Sequence, residues 1–361
     1  RQIVLHVPVA DQEVWSTQTD TLGELLGFLS GDRWRIELRQ VGVPAPSPKR
    51  RRQKKEEGEA SELYDAVCLF SGGLDSFIGA ADVLANGRNV LLVSHLPEGI
   101  WRWLGPAQKA LRNGLTKKYE DRRVEHVKVT LNPPRPTEIT GKEDTQRARS
   151  ILFFALGILA AAGIGEGTPL VVPENGPISL NVPLTPGRIG SLSTRTTHPY
   201  TMDLYRRLLD GLGIDVPIEL PYMFKTKGEM LAEATDPDVV RTSARKSVSC
   251  ANPNPRGKAE QSHCGYCVPC IIRRAAMNAA GLDRSKDYRL DVRRPGGDLT
   301  TKESTHIKGF RLAIRSRASG ITLPELLSAG PLPASMGSVD DFRAVHDRGL
   351  AEVAAFLGKG R

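Results

Sequence analysis

No uncharged apolar stretch of this sequence is long enough to cross a bilayer. The longest, Ile151 to Gly165, has 15 residues, against the ~20 that a spanning helix needs, so a helix packed on a sheet is the better reading. The first thirty residues carry Arg1, His6, Asp11 and Glu13 with no apolar core, and no secretory leader is expected. These absences predict no membrane partner and a cytoplasmic location. Cysteine is also scarce: there are five, four of them between 250 and 270. In a reducing compartment such a cluster points to metal rather than to disulfides. No internal repeat appears.

What is present suits a soluble globular chain. At 361 residues, 40% hydrophobic and 25% charged, it can bury a substantial core, and one main domain with additions is expected. A net charge of +9 and a pI near 9.4 suit phosphate-bearing ligands or nucleic acid. Part of the excess lies in the run Lys49 to Lys55, read as a solvated linker.

Residues 1–43 read as a small α/β unit: a strand at Ile3 to Val7, a helix from Leu22 to Leu29, and an alternating strand from Arg33 to Leu38. Residues 44–62, with Pro44, Pro46, Pro48 and mixed charge, read as a linker. From 63 to 282 the pattern is that of an α/β domain with a doubly wound parallel sheet. Strands are expected at 65–70, 89–94, 123–130, 169–173 and 216–220, and helices at 76–86, 102–119, 145–163 and 200–212. Residues 174–199 show no periodic element; Arg188, Arg195 and His198 there are candidates to line a substrate entrance, against a plain surface loop. Residues 283–361 read as a helical extension, with pieces near 304–317, 322–328 and 339–358; Phe342, Val345, Leu350, Val353 and Phe356 form a packing face.

The stretch Leu69-Phe70-Ser71-Gly72-Gly73-Leu74-Asp75-Ser76 carries the chemistry. An apolar strand that turns through two glycines into a helix leaves backbone N–H groups at the helix N-terminus, where the dipole favours an anion. Ser71, Gly72, Gly73 and Ser76 are the expected phosphate contacts, Leu74 completes the binding turn, and Asp75 is expected to position Mg²⁺ or the loop itself, since an acid beside phosphates otherwise repels them. Ser94 and His95, at the end of the second strand, are further candidates to contact the ligand. The Walker lysine and its spacing are absent, which excludes a P-loop NTPase. The alternative is an ordinary strand-to-helix turn capped by Ser71. Downstream, Cys250, Cys264, Cys267 and Cys270 offer four thiolates, a complete tetrahedral set for a structural Zn²⁺. His263 is a competing ligand, and Cys68 reads as a core residue.

Ser-Gly-Gly-x-Asp-Ser resembles the PP-loop of ATP pyrophosphatases. Together with Cys…Cys-x-x-Cys-x-x-Cys followed by Arg273, the chain from 65 to about 282 resembles the 7-cyano-7-deazaguanine synthase (QueC) family. Arg147-Ala148-Arg149-Ser150-Ile151-Leu152-Phe153 and Leu220-Pro221-Tyr222-Met223-Phe224-Lys225-Thr226-Lys227 resemble further segments of that family. The resemblance implies an adenine nucleotide α-hydrolase-like fold, ATP with Mg²⁺, and activation of a 7-deazaguanine carboxylate as an acyl-adenylate that a nitrogen nucleophile attacks. It implies catalytic roles for Asp75, Ser76, Arg149 and Lys227, and substrate contacts for Arg147, Glu174, Asn175 and Lys225.

Val93-Ser94-His95-Leu96-Pro97-Glu98-Gly99 departs from the Asp-Tyr-Gly-Gln-Arg-His pattern of the biosynthetic enzymes, and both ends of the chain are additions. The longer chain is more similar to the QueC-like proteins of Qat-type bacterial anti-phage operons. That resemblance implies a partner protein from the same operon whose amine takes the acyl group. The alternatives are a biosynthetic enzyme using ammonia, a tRNA-modifying PP-loop enzyme, and a non-catalytic nucleotide-binding subunit.

Overall fold

The computed structural model describes residues 1–42, 63–96, 101–131, 149–185, 195–251, 263–293 and 300–358. The charged run at 49–55 lies outside them.

The chain opens with β1 (Gln2–Val9), α1 (Gln12–Ser16), α2 (Thr19–Ser30) and β2 (Arg33–Gln40). The strands pair in parallel, with Ile3 opposite Trp34, Leu5 opposite Ile36 and Val7 opposite Leu38. Alternation thus gives the ribbon one apolar face, and α2 packs both on β2 and on α7 (Pro199–Gly211) of the main body.

The main sheet contains β3 (Ala66–Leu69), β4 (Val90–His95), β5 (Val124–Val129), β6 (Leu170–Val171) and β7 (Ile218–Glu219). All are parallel and lie in the order β5-β4-β3-β6-β7. From β3 the chain builds outward through β4 and β5, then returns to the other side of β3 with β6. Such a reversal opens a crevice at the carboxyl ends of the strands. All four residues of β3 are buried, as a strand covered on both faces requires.

The helices between these strands are α3 (Leu74–Ala85), α4 (Trp101–Lys118), α5 (Arg149–Ile164), α6 (Gly176–Leu180) and α7. They are followed by α8 (Lys227–Ala232), α9 (Pro237–Ser243) and α10 (Val268–Ala279). One face of the sheet is sealed by Phe77, Leu111, Met230, Val240 and Met277. The other is sealed by Phe154 and Met202, together with Leu25 from α2. The last elements are α11 (Thr301–Ser316), α12 (Leu323–Leu327) and α13 (Val339–Leu357). Phe342 and Val345 of α13 enter the second core, while Val353 and Phe356 pack with Cys264, Cys267 and Cys270. Burying a side chain of that size is worth about 1.5–3 kcal/mol, so α13 is part of the body.

Two expectations need correction. Residues 174–199 hold regular structure after all: α6 and the first residue of α7 fall inside them. Asn175 Oδ1 accepts the Ile178 amide at 3.1 Å, and Pro177 stands in the first turn; five residues are too short to display a period. Nor do Arg195 and His198 line an entrance. Arg195 stacks over Phe28 at 4.4 Å and donates to its carbonyl, and His198 is buried as the cap of α7, accepting the Tyr200 amide. Arg188 lies outside the described residues. Among those residues, no helix is long and apolar enough to cross a membrane.

Candidate active site

The turn from β3 into α3 is held from several sides. Gly72 has φ +85°, a conformation that glycine adopts without strain, and a Cβ there would lie 2.8 Å from Gln108 Cγ. Gln108, buried on α4, donates from Nε2 to the carbonyls of Phe70 at 3.3 Å and Ser71 at 3.2 Å. Its Oε1 is buried with no partner among the described residues. From the opposite side, Val248 N–H donates to Gly72 O at 2.9 Å and Leu74 N–H donates to Ser249 Oγ at 3.1 Å. Within the turn, Ser71 Oγ accepts the Gly73 amide and donates to Ser76 Oγ, each at 3.2 Å. The arrangement delivers the positive end of the α3 dipole to the crevice beside the switch point.

Ser94 lies behind this turn. Its buried hydroxyl donates to Phe70 O and meets His126 Nε2 at 2.7 Å. Burial, then Lys128 and Arg112, hold His126 down at about 4. The ring is therefore neutral, and the Ser94 geometry assigns the Nε2–H tautomer.

Asp75, one residue into α3, is the centre of a buried polar cluster. Lys227 Nζ donates to its Oδ1, and Asn175 Nδ2 donates to Oδ2 at 2.7 Å and to Glu174 Oε1 at 3.2 Å. Burial alone would raise the Asp75 carboxyl, but the Lys227 ammonium and hydrogen bonds from Glu174, Lys227 and Asn175 hold it below its usual value. Glu174 goes the other way: burial of its carboxyl and the Asp75 charge push it well above its usual value. One proton between two adjacent carboxyls thus rests on Glu174, and Asp75 stays ionised against Lys227.

The sulfurs of Cys250, Cys264, Cys267 and Cys270 all lie within 4.8 Å of one another, with Cys250–Cys267 at 4.0 Å and Cys264–Cys270 at 3.8 Å. A tetrahedron of 2.3 Å zinc–sulfur bonds has edges of about 3.8 Å, so the donor set fits a zinc ion. Amides of Cys264 and Cys267 approach Cys250 Sγ and Cys264 Sγ at 3.4 Å, as N–H groups do around metal-bound sulfur. His263 is not a fifth claimant, since its Nε2 accepts the Ser249 amide at 3.2 Å. Buried Arg273 donates to Ser247 Oγ at 2.7 Å and to Ala244 O at 2.9 Å, bracing the strand of chain that reaches Gly72.

Of the residues singled out in the sequence, Ser71, Gly72, Gly73, Leu74, Asp75, Ser76, Glu174, Asn175 and Lys227 come together around the β3–α3 turn. Ser94 stands one layer behind, and His95 ends β4, half-buried. Lys225 is turned away and pairs with Glu233 at 2.8 Å. Arg149 is the first residue of α5, and Arg147 lies outside the described residues. Gln108, His126 and Ser249 were not legible as site residues, because their contacts are long-range and no motif marks them.

The family model described as "Queuosine biosynthesis protein QueC" matches residues 205–281, a span that includes Lys227 and all four clustered cysteines but not the turn at 71–76. The chain is similar to the 7-cyano-7-deazaguanine synthases of Brucella canis, Brucella suis and Brucella ovis, being 30% identical to each over 164 residues. Those residues are 45% of this chain and 56% of each relative. The chain thus spans a little over half the length of the curated relatives it matches, and over that span it is QueC-like.

Proposed function

We propose that this protein is an ATP-dependent enzyme of the cytoplasm that activates the carboxylate of a 7-deazaguanine acid, of the 7-carboxy-7-deazaguanine type, and transfers the acyl group to nitrogen. The observation that carries the reading is the convergence of the Ser71–Ser76 turn with ionised Asp75, Lys227 and Asn175 at the switch point of the sheet. The QueC-like span supplies the substrate class.

In this reading the α3 N-terminus and the hydroxyls of Ser71 and Ser76 hold the β- and γ-phosphates of ATP. The Leu74 amide, which now donates to Ser249 Oγ, is redirected to a phosphate oxygen. Buried Gln108 Oε1, unpartnered among the described residues, supplies an acceptor for a ligand N–H. Mg²⁺, held through the phosphates and one carboxylate, would neutralise charge on the departing pyrophosphate. Asp75 positions Lys227, whose ammonium stabilises the same charge. A carboxylate oxygen attacks the α-phosphorus and the bond to the β-phosphate breaks. An amine then attacks the acyl carbon and AMP leaves with the electron pair, while the amine proton passes to solvent. Arg149 is assigned to the nucleotide, and Arg147 and Glu174 to the substrate.

The acceptor is an amine of a partner protein from the same operon, in anti-phage defence. The additional elements α2, α11 and α13, packed onto the QueC-like body, support a macromolecular acceptor. Incubation with ATP, Mg²⁺ and 7-carboxy-7-deazaguanine is expected to release AMP and pyrophosphate. Mass spectrometry with ammonia or operon-neighbour proteins then separates nitrile, amide and protein adduct. Formation of ADP, or no substrate-dependent turnover, overturns the reading.

A further inference from the structure

The C-terminal helix α13 grips both segments that feed the Asp75 cluster. A Cβ on Gly176, next to Asn175, would lie 2.8 Å from Val345 Cγ2, and one on Gly349 would lie 2.5 Å from Pro177 Cγ. On the Lys227 side the contact is polar. Glu352 Oε1 accepts the Thr226 hydroxyl, and Oε2 accepts the Gly228 amide at 3.3 Å. The two donors flank Lys227, itself buried with its Nζ on Asp75. One helical turn earlier, Arg348 donates to Glu229 Oε1 at 2.6 Å and to Phe224 O at 2.8 Å. Glu352 lies outside the span matched by the QueC family model.

We propose that Glu352 is a positioning residue of the site: by accepting hydrogen bonds from Thr226 and Gly228 on either side of Lys227, it fixes where the Lys227 ammonium stands against Asp75. Two donors converging from one short segment need two acceptor lone pairs held in a fixed relation, which a carboxylate provides. Burial pushes the Glu352 carboxyl up, and the bonds from Thr226 and Gly228 oppose that push. α13 then belongs to the working site rather than to a tail.

The test uses the full chain as wild type, Glu352→Ala, Glu352→Gln and, as a control on helix docking, Arg348→Ala. The first readout is acylation of Lys227 by an amine-reactive reagent, followed by mass spectrometry as a ratio to Lys225. The second, which rests on the function proposed above, is pyrophosphate release with ATP, Mg²⁺ and 7-carboxy-7-deazaguanine. Glu352→Ala is expected to raise the labelling ratio about fivefold as the segment opens locally. It should lower kcat about tenfold or more with KM for ATP nearly unchanged, because a displaced group loses transition-state contact first. Glu352→Gln keeps an acceptor for Gly228 but not one for the Thr226 hydroxyl, so both readouts are expected to fall between wild type and Glu352→Ala. Arg348→Ala should leave the ratio near wild type. An unchanged ratio in Glu352→Ala, or an equal rise in Arg348→Ala, overturns the proposal. If Glu352→Ala fails to fold, Glu352→Met fills the same volume and carries the same expectation. If wild type releases no pyrophosphate, the function fails while the labelling ratio still decides the role of Glu352.

Discussion

The hydroxyl of Ser249 accepts the amide of Leu74 at 3.1 Å, so the residue next to the first clustered cysteine also holds the first residue of α3. With Val248 N–H on Gly72 O, it makes the cysteine segment one wall of the β3–α3 turn. Cys250 follows directly and is tied to Cys264 and Cys267. The cysteine cluster and the proposed nucleotide site are therefore one mechanical unit.

Metal removal is expected to damage both. The purified protein should carry about one zinc per chain, and Cys264→Ser should lose it. Structural zinc contributes much of the local folding free energy. A loss of roughly 3 kcal/mol corresponds to a fall in Tm of about 4 °C for a chain of this length, at about 2.1 cal/mol/K of unfolding entropy per residue. Affinity for ATP, read by isothermal titration, should fall with it because Gly72 loses the Val248 brace that shapes the turn. Unchanged ATP binding in the zinc-free protein would show that residues 248 and 249 hold their place without the metal.

The Asp75–Lys227 pair predicts a coupling. Both side chains are buried, and removing one partner leaves the other charge enclosed at roughly 3–5 kcal/mol. Asp75→Asn and Lys227→Met should each destabilise by that order, while the double variant should recover a kcal/mol or more of their sum. All three should abolish pyrophosphate release. Denaturant unfolding of the four proteins measures the cycle; strict additivity would mean that the charges do not feel one another.

Much of this was legible in the sequence, for physical reasons that differ by residue. The unbroken apolar run before Ser71 announces a doubly covered strand, and two glycines before Asp75 announce the turn. The four cysteines announce themselves by spacing. Lys225 and Lys227 were both expected at the site, and the sequence does not show that only one reaches it, because that depends on a capping box: Thr226 and Glu229 exchange bonds to start α8, which turns Lys227 inward and leaves Lys225 with Glu233. Glu352 and Ser249 were invisible, since their partners lie 124 to 175 residues away and no period encodes such pairings.

Histidines shielded from water contribute to the response to acid, and His198 and His126 are two of them. Burial holds His198 down at about 3 and His126 at about 4, both below the ordinary ~6.5 of an exposed imidazole. The unfolded chain therefore binds protons that the folded chain refuses, and stability present above about pH 6.5 falls as pH drops toward 4. For His126, which keeps partial solvent contact, the loss between pH 7 and 4.5 should be roughly 2 kcal/mol. Urea unfolding at the two pH values should show His126→Gln losing correspondingly less. An identical fall in the variant would place the acid sensitivity elsewhere.

Gly72 and Gln108 should also prove coupled. An alanine at 72 adopts φ +85° at about 1–2 kcal/mol, and its Cβ presses on Gln108 Cγ at 2.8 Å. Gly72→Ala should therefore cost roughly 2–3 kcal/mol and lower pyrophosphate release about tenfold or more. Gln108→Ala in the wild-type background removes the Nε2 bonds to Phe70 O and Ser71 O, at roughly 1–3 kcal/mol. In the Ala-substituted background the same change also relieves the contact, so its cost should shrink toward zero while the backbone strain remains. The double variant should then be about as stable as Gly72→Ala alone, yet no more active, because the carbonyls of the turn have lost their anchor. If the two costs simply add, Gln108 can move aside freely and does not define the floor of the turn.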